Sequence, residues 1–200
     1  MRTVTVLAYG AGNTASVQFA LERLGASVRL TDDPQQVAEA ERLILPGVGA
    51  AAYAMGRLSA LGLIEPIRAF SRPLLGVCLG QQLLFDHSDE GGGVDLLGLI
   101  PGRVEAIEPA PSRPVPHMGW SRLTPLCDDP LLQGVSAGDY AYFVHSLVCP
   151  DGPATVATAE YGGVVPAVVR SRNRWGCQFH PERSAGVGAR ILQNFLDLPA

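Results

Sequence analysis

Pro73-Leu74-Leu75-Gly76-Val77-Cys78-Leu79-Gly80-Gln81-Gln82 passes from a strand into a helix through a cysteine flanked by glycines. Pro73 to Val77 is an apolar run of strand length, and Leu79 to Phe85 reads as the helix behind it. No loop separates the two. This is the Gly-x-nucleophile-x-Gly turn with Cys in place of Ser. So sharp a turn leaves no room for side chains beside the nucleophile. It lifts Sγ clear of the backbone and sets the thiol at a helix N-terminus, where partial positive charge favours thiolate. The plain alternative is a buried Cys acting as a small hydrophobe. Strand, glycines and helix together argue for the nucleophile.

Upstream of this turn, strand-like and helix-like pieces alternate. Thr3 to Ala8 is a β-branched apolar run. Gly10-Ala11-Gly12 turns the chain, and Asn13 or Thr14 can cap a helix reaching Leu24. Val17, Leu21 and Leu24 form its apolar stripe. Ser27 to Leu30 and Arg42 to Leu45 read as strands. A short helix opens at Asp33-Pro34, and Ala50 to Leu58 reads as another. Strand, helix, strand at this spacing predicts βαβ units and a mostly parallel sheet. Downstream, Arg103–Ile107, Tyr140–His145, Ala154–Glu160, Val164–Val169 and Arg174–Phe179 read as strands that extend the sheet in antiparallel ribbons. Arg183 to Asp197 reads as a closing helix with Val187, Ile191 and Phe195 inward. Four prolines between Glu108 and Pro116 predict a stiff surface loop rather than a linker. The expected organisation is one α/β domain over residues 1–200.

Two hundred residues can hold a real core, burying about 70% of the unfolded surface. Charged residues are 17%, and the formal net charge is −4 with no basic stripe, which argues against a nucleic-acid partner. Leu43 to Gly56, the least charged stretch, is broken by Pro46, Gly47 and Gly49 and is too short for a span of ~20 apolar residues, so no membrane segment is expected. Met1-Arg2-Thr3-Val4 runs straight into a strand without a signal-peptide pattern. Cys78, Cys127, Cys149 and Cys177 form no Cys-x-x-Cys pair. Free thiols in the reducing cytoplasm are the expectation.

A thiolate nucleophile needs a base, and the base an orienting group. Gln178-Phe179-His180-Pro181-Glu182 ends an apolar strand with such a pair: Pro181 keeps His180 extended, and Glu182 can turn back to one imidazole nitrogen. Attack on a carbonyl also needs backbone donors for the oxyanion. Leu79 N–H, just after the nucleophile, supplies one. The Gly-rich turn Leu45-Pro46-Gly47-Val48-Gly49 offers the other, at Val48 or Gly49. A competing reading comes from Gly10-Ala11-Gly12-Asn13-Thr14-Ala15 with Asp32 at the end of the second strand, which fits a dinucleotide fingerprint but leaves the cysteine turn unexplained. His87, His117 and His145 show no metal spacing with the cysteines, and Cys177 with His180 lacks a second pair. Trp120, Tyr140 and Tyr142 are each expected as core aromatics.

Gly76-Val77-Cys78-Leu79-Gly80-Gln81-Gln82 with His180-Pro181-Glu182 resembles the triad-type, class-I glutamine amidotransferases. Further pieces resemble one branch, the glutaminase subunits of imidazole glycerol phosphate synthases. They are Gly10-Ala11-Gly12-Asn13 with Ser16-Val17, Pro46-Gly47-Val48-Gly49, Pro116-His117-Met118-Gly119-Trp120, Tyr142-Phe143-Val144-His145-Ser146 and Gln178 to Ser184. Departures are Gln81 where the family often has Met, Ser121 where Asn is common, and Leu147 where Tyr is common. The resemblance implies a flavodoxin-like α/β sandwich, with Cys78, His180 and Glu182 as a glutaminase triad and no metal or organic cofactor. It implies that Gln82, His145, Ser146 and Leu147 hold the glutamine substrate. It also implies a heterodimer with a (β/α)₈-barrel cyclase subunit that receives the ammonia, with Gly12, Asn13, Thr14, Trp120, Tyr142 and Arg183 facing that partner. Rival expectations are a glutaminase subunit for vitamin B6 or anthranilate synthesis, a free-standing cysteine hydrolase, a nucleotide-binding module and a non-catalytic scaffold.

Overall fold

In a computed structural model describing residues 2–111 and 113–199, the first half of the chain alternates as its pattern predicts. β1 (Thr3–Leu7), α1 (Thr14–Arg23), β2 (Ser27–Thr31), α2 (Pro34–Glu39), β3 (Leu43–Gly47), α3 (Ala51–Ala60), α4 (Ile64–Ala69), β4 (Leu74–Cys78) and α5 (Leu79–Gln82) follow in order. Met1 of the N-terminal run and Ser112 of the proline-rich loop lie outside the described residues. Local chemistry sets the helix starts. Asn13 Oδ1 accepts from Ser16 N at 3.3 Å, and Asp33 Oδ1 accepts from Gln35 N at 2.8 Å with Pro34 in the first turn. The helix expected over Leu79–Phe85 is one turn long, because Leu83 to Phe85 close in tight turns. The sequence pattern does not predict α4.

The second half contributes β5 (His87–Ser88), β6 (Val94–Asp95), β7 (Arg103–Ala106), β8 (His117–Pro125), β9 (Tyr140–His145), β10 (Leu147–Val148), β11 (Thr155–Glu160), β12 (Val164–Ser171), β13 (Arg174–Cys177) and α6 (Ala185–Asp197). Nine strands form the main sheet in the order β2-β1-β3-β4-β13-β12-β11-β8-β9. β2, β1, β3, β4 and β13 pair in parallel, and from β13 to β9 every pairing is antiparallel. The sheet therefore has the expected parallel part extended by antiparallel strands, the extension being as wide as the parallel part. β7 does not join it. It pairs instead with β10 and β5 in a small sheet ordered β10-β7-β5-β6, with Val104 buried in the same core cluster as Phe85 and Leu96.

Alternation sends successive strand residues to opposite faces. Val4, Val6, Ile44, Leu75 and Val77 pack on one face with Leu21 of α1 and Ile191 and Phe195 of α6. Leu7, Leu43, Leu45 and Leu74 pack on the other with α2, α3 and α4. β8, which the sequence pattern does not predict, reverses the usual polarity. Its inward positions include His117 and Ser121, while Met118 and Trp120 point out. Trp120 and Tyr140 are therefore exposed rather than core aromatics, and Tyr142 is half-buried.

Candidate active site

Three parallel strands end side by side at the site. Gly47 pairs with Cys78 across β3 and β4, and Val77 pairs with Cys177 across β4 and β13. The segments leaving these ends carry Val48 and Gly49, Cys78 and Leu79, and Gln178 to Glu182. Ligands commonly bind beyond the carboxyl ends of strands in open α/β sheets.

Cys78 sits at φ +56°, ψ −113°, a left-handed conformation that costs a non-glycine residue energy and that only a tightly packed surround maintains. The flanking glycines are required sterically. A Cβ on Gly76 would lie 2.3 Å from Gly80 O, and one on Gly80 would lie 1.9 Å from Leu45 O. β3 and the turn are therefore in backbone contact. The thiol lines a cavity of about 370 Å³, in the range of small-molecule sites (~300–1,000 Å³). Val48, Gly49, Leu79, Gln82, His145, Ser146, Leu147 and His180 share its wall with Cys78.

His180 follows β13 in extended conformation, and its Nδ1 meets Glu182 Oε1 at 2.9 Å. Both side chains are buried. Nε2 is buried without a hydrogen-bond partner. Burial alone would disfavour the imidazolium, but the nearby Cys78 sulfur and the hydrogen-bonded Glu182 carboxylate outweigh it and raise the His180 pKa to about 10. The backbone here is clamped to β9: His180 N donates to Tyr142 O at 2.9 Å. Ser184 Oγ donates to His180 O at 2.7 Å and accepts from Tyr142 N at 2.9 Å.

The other sequence-derived candidates divide by position. Leu79 is buried at the start of α5. Val48 N donates to Ala11 O at 2.9 Å, so this donor is committed to the Gly10–Gly12 turn. Gly49, at φ +88°, has open space around its Cα. Gln82 is buried, and its Nε2 donates to Leu147 O at 3.2 Å and Gln178 Oε1 at 3.0 Å. His145 Nδ1 donates to Leu147 O at 2.7 Å, while Ser146 stands exposed at the rim. Gly12 does not form a phosphate cradle. A Cβ there would lie 3.0 Å from Pro46 Cγ, and Ala11 O already accepts from Val48. Asn13 and Thr14 follow on the same half-exposed turn. Arg183 is exposed beyond the triad, and Trp120 meets Tyr142 edge-on at 5.9 Å across β8 and β9.

The sequence motifs do not mark Glu90, Gln178 or His117 as site residues. Glu90 lines the cavity, and its Oε2 accepts from Ala51 N at the start of α3. Gln178 Nε2 lies 3.8 Å from Cys78 Sγ. For Gln178 a signal existed, since it follows the same strand as His180. Glu90 lies in an Asp-Glu-Gly-Gly-Gly stretch that reads only as a turn. Among the described residues, no three His, Cys, Asp or Glu side chains gather as a metal site. Likewise no described helix is long and apolar enough to cross a membrane.

Residues 5–198 match the family model for glutamine amidotransferase class-I. A protein from Xylella fastidiosa named imidazole glycerol phosphate synthase subunit HisH is 53% identical over 200 residues, covering all of both chains. One of the same name from Xanthomonas campestris pv. campestris is 52% identical over 198 residues, 99% of this chain and 98% of its own. Among solved structures, a glutamine amidotransferase superposes with TM-score 0.75 at 22% identity, covering 97% of each chain. A putative GMP synthase component from Thermoplasma acidophilum gives 0.71 at 19%, covering 98% of this chain and 93% of its own. The structural likeness carries the fold, the full-length sequence matches carry the family, and the chain belongs to the class-I glutamine amidotransferases.

Proposed function

We propose that this chain hydrolyses glutamine through Cys78, His180 and Glu182 and passes the ammonia to a cyclase subunit that makes imidazole glycerol phosphate in histidine biosynthesis. The observation that carries the chemistry is the strained Cys78 turn opening into one cavity with His180, itself oriented by Glu182 at 2.9 Å. The full-length relatives named as imidazole glycerol phosphate synthase subunits support the acceptor. The cyclase as a (β/α)₈ barrel comes from the sequence resemblance.

In this reading the thiol proton of Cys78 resides on His180 as a thiolate–imidazolium pair, and the thiolate attacks the side-chain amide carbon of glutamine. The oxyanion is held by Leu79 N–H and a donor from the Val48–Gly49 peptide. The intermediate collapses, the C–N bond breaks, and His180 protonates the departing nitrogen. Ammonia leaves and a γ-glutamyl thioester remains. His180 then takes a proton from water, hydroxide attacks the thioester, glutamate departs, and the proton returns to sulfur. Glu182 holds the imidazole in the required tautomer throughout. Gln82, His145, Ser146 and Leu147 line the glutamine pocket, and the Glu90 carboxylate on the same wall matches the substrate ammonium in charge. Gly12, Asn13, Thr14, Trp120, Tyr142 and Arg183 face the cyclase.

The test separates the two half-reactions. With the cyclase subunit present, Cys78→Ser should lose glutamine-dependent synthesis and keep synthesis from ammonium salts, because the thiol acts only before ammonia is released. Loss of both activities in a folded complex counts against this division of labour.

A further inference from the structure

Gln178 is wholly buried behind the cysteine, and its carboxamide joins the sulfur to a chain of polar groups. Its Nε2 lies 3.8 Å from Cys78 Sγ, and its Oε1 is 3.0 Å from Gln82 Nε2. The next link sets this orientation. Gln82 Nε2 also reaches Leu147 O, a carbonyl that can only accept. Gln82 thus presents its two N–H groups to Leu147 and Gln178, so Gln178 must turn its oxygen to Gln82 and its N–H to the sulfur.

The chain continues beyond Leu147. Burial lowers the pKa of both His117 and His145 to about 4, so each ring is neutral and carries one proton. His145 Nδ1–H donates to Leu147 O. His145 Nε2 therefore accepts, from His117 Nδ1–H at 2.9 Å. His117 Nε2 then accepts from the Ser121 hydroxyl at 2.9 Å. Every donor from Ser121 on β8 to His145 points toward Leu147 O, which accepts from Gln82 as well, and the other Gln82 N–H turns to Gln178.

The two protonation states of Cys78 meet different partners. As a thiol, its S–H donates to Val144 O at 3.7 Å. Ionisation removes that proton and leaves a carbonyl oxygen facing an anion. The Gln178 N–H remains and strengthens, because a charged acceptor makes the stronger hydrogen bond. The other titratable groups around the sulfur are His180 and Glu182 after β13, His145 on β9, Cys177 on β13, Cys149 after β10 and, across the cavity, Glu90. Burial pushes the Cys149 thiol up to about 12 and Cys177 well above the usual range, so neither competes as a thiolate.

We propose that Gln178 is a positioning residue for the nucleophile: its carboxamide, oriented through Gln82, aims an N–H at the Cys78 sulfur and favours the thiolate. This rests on Cys78 as the nucleophile.

The test is the pH dependence of Cys78 alkylation by iodoacetamide, read by mass spectrometry in a Cys127→Ser background, since Cys127 is exposed. Gln178→Met should move the midpoint to higher pH and slow alkylation at neutral pH about tenfold, the size expected for a hydrogen bond to a charged group. Gln178→Glu, which sets an acceptor beside the sulfur, should move it further. Glutamine hydrolysis should lose kcat with KM little changed. An unchanged midpoint in a folded Gln178→Met protein overturns the proposal. Should that variant fail to fold, the unmodified chain decides: the Gln178 side-chain N–H resonance must titrate with the Cys78 midpoint, and a resonance that does not shift overturns it equally. Cys78→Ser reports separately on the reading beneath, since glutamine hydrolysis surviving in that variant removes the nucleophile whatever Gln178 does.

Discussion

At His180, two opposed effects meet on one imidazole. Burial works against its charge, and Cys78 with Glu182 overcomes that, lifting the pKa to about 10 from an ordinary value near 6.5. The sign follows directly. In the proposed mechanism the protonated form donates to the leaving nitrogen, so activity should be lost as pH rises through the folded-state pKa. The stability gained from the raised pKa is likewise full below about 6.5 and lost as pH rises through about 10. The alkaline limb of glutamine hydrolysis should therefore fall near pH 10, and Glu182→Gln should move it toward neutrality by removing one of the charges that raise it. A pH–rate profile of both proteins checks this, and a limb unmoved by Glu182→Gln would remove Glu182 from the role. His180→Ala should cost roughly 10⁴-fold or more in kcat, and Glu182→Gln less, as the orienting member of a triad can.

The glycines of the Cys78 turn show how one element constrains another. Gly80 brings the turn so close to β3 that an added methyl would meet the Leu45 carbonyl at 1.9 Å. That contact is with backbone, which cannot swing aside as a side chain can. Gly80→Ala should destabilise by about 3 kcal/mol, the upper end of overpacking in a well-packed core. Gly56, exposed inside α3, has no atom within 4 Å of its added methyl. Gly56→Ala should stabilise by about 0.5–1 kcal/mol, because alanine loses less backbone freedom in a helix. Urea denaturation of the two variants beside the unmodified chain reads both signs. Equal effects would mean that the β3 contact does not constrain the turn.

Across the whole molecule, the cavity lies between the parallel strand ends and β9, whose outer face presents exposed side chains with its neighbour β8. Met118 and Trp120 stand 62% and 51% exposed there. Through Tyr142, β9 holds the His180 backbone, and the Val48 N–H is tied to Ala11 on the opposite side. In the proposed mechanism the second oxyanion donor is at Val48 or Gly49; in this arrangement the Val48 N–H is committed to Ala11, and losing one such donor costs roughly 10²- to 10³-fold in rate. The isolated chain should hydrolyse glutamine slowly and accelerate by about that factor in complex with the liganded cyclase, as a partner on this face shifts the Val48 peptide. Steady-state glutaminase rates for chain, complex and liganded complex test it. An isolated chain already as fast as the liganded complex would restore the free-standing hydrolase reading.

Local order was written in the sequence wherever one short segment carries the cause. The strand–turn–helix at Gly76–Gly80 follows from two glycines and an apolar run, the starts of α1 and α2 from Asn13 and Asp33, and the His180–Glu182 contact from a two-residue spacing across Pro181. The family was legible from those same motifs. Other features arise only when distant segments meet. β8 escaped the alternating pattern because its apolar residues, Met118 and Trp120, face out while His117 packs inward. Trp120 and Tyr140 became surface for the same reason: exposure depends on which face a sheet presents, and composition does not encode that face. β7 left the main sheet for a small one, a choice of partner between strands of similar pattern. Gln178 meets Cys78, Gln82 meets Leu147, and Val48 meets Ala11 across separations of 100, 65 and 37 residues. Sequence alone determined the fold class and the family, and it marked Cys78 and His180 as the proposed nucleophile and base, because each rests on neighbours along the chain. The tertiary structure alone decided which amides serve the sulfur and which serve one another, because a hydrogen bond depends on distance and direction, which only packing fixes.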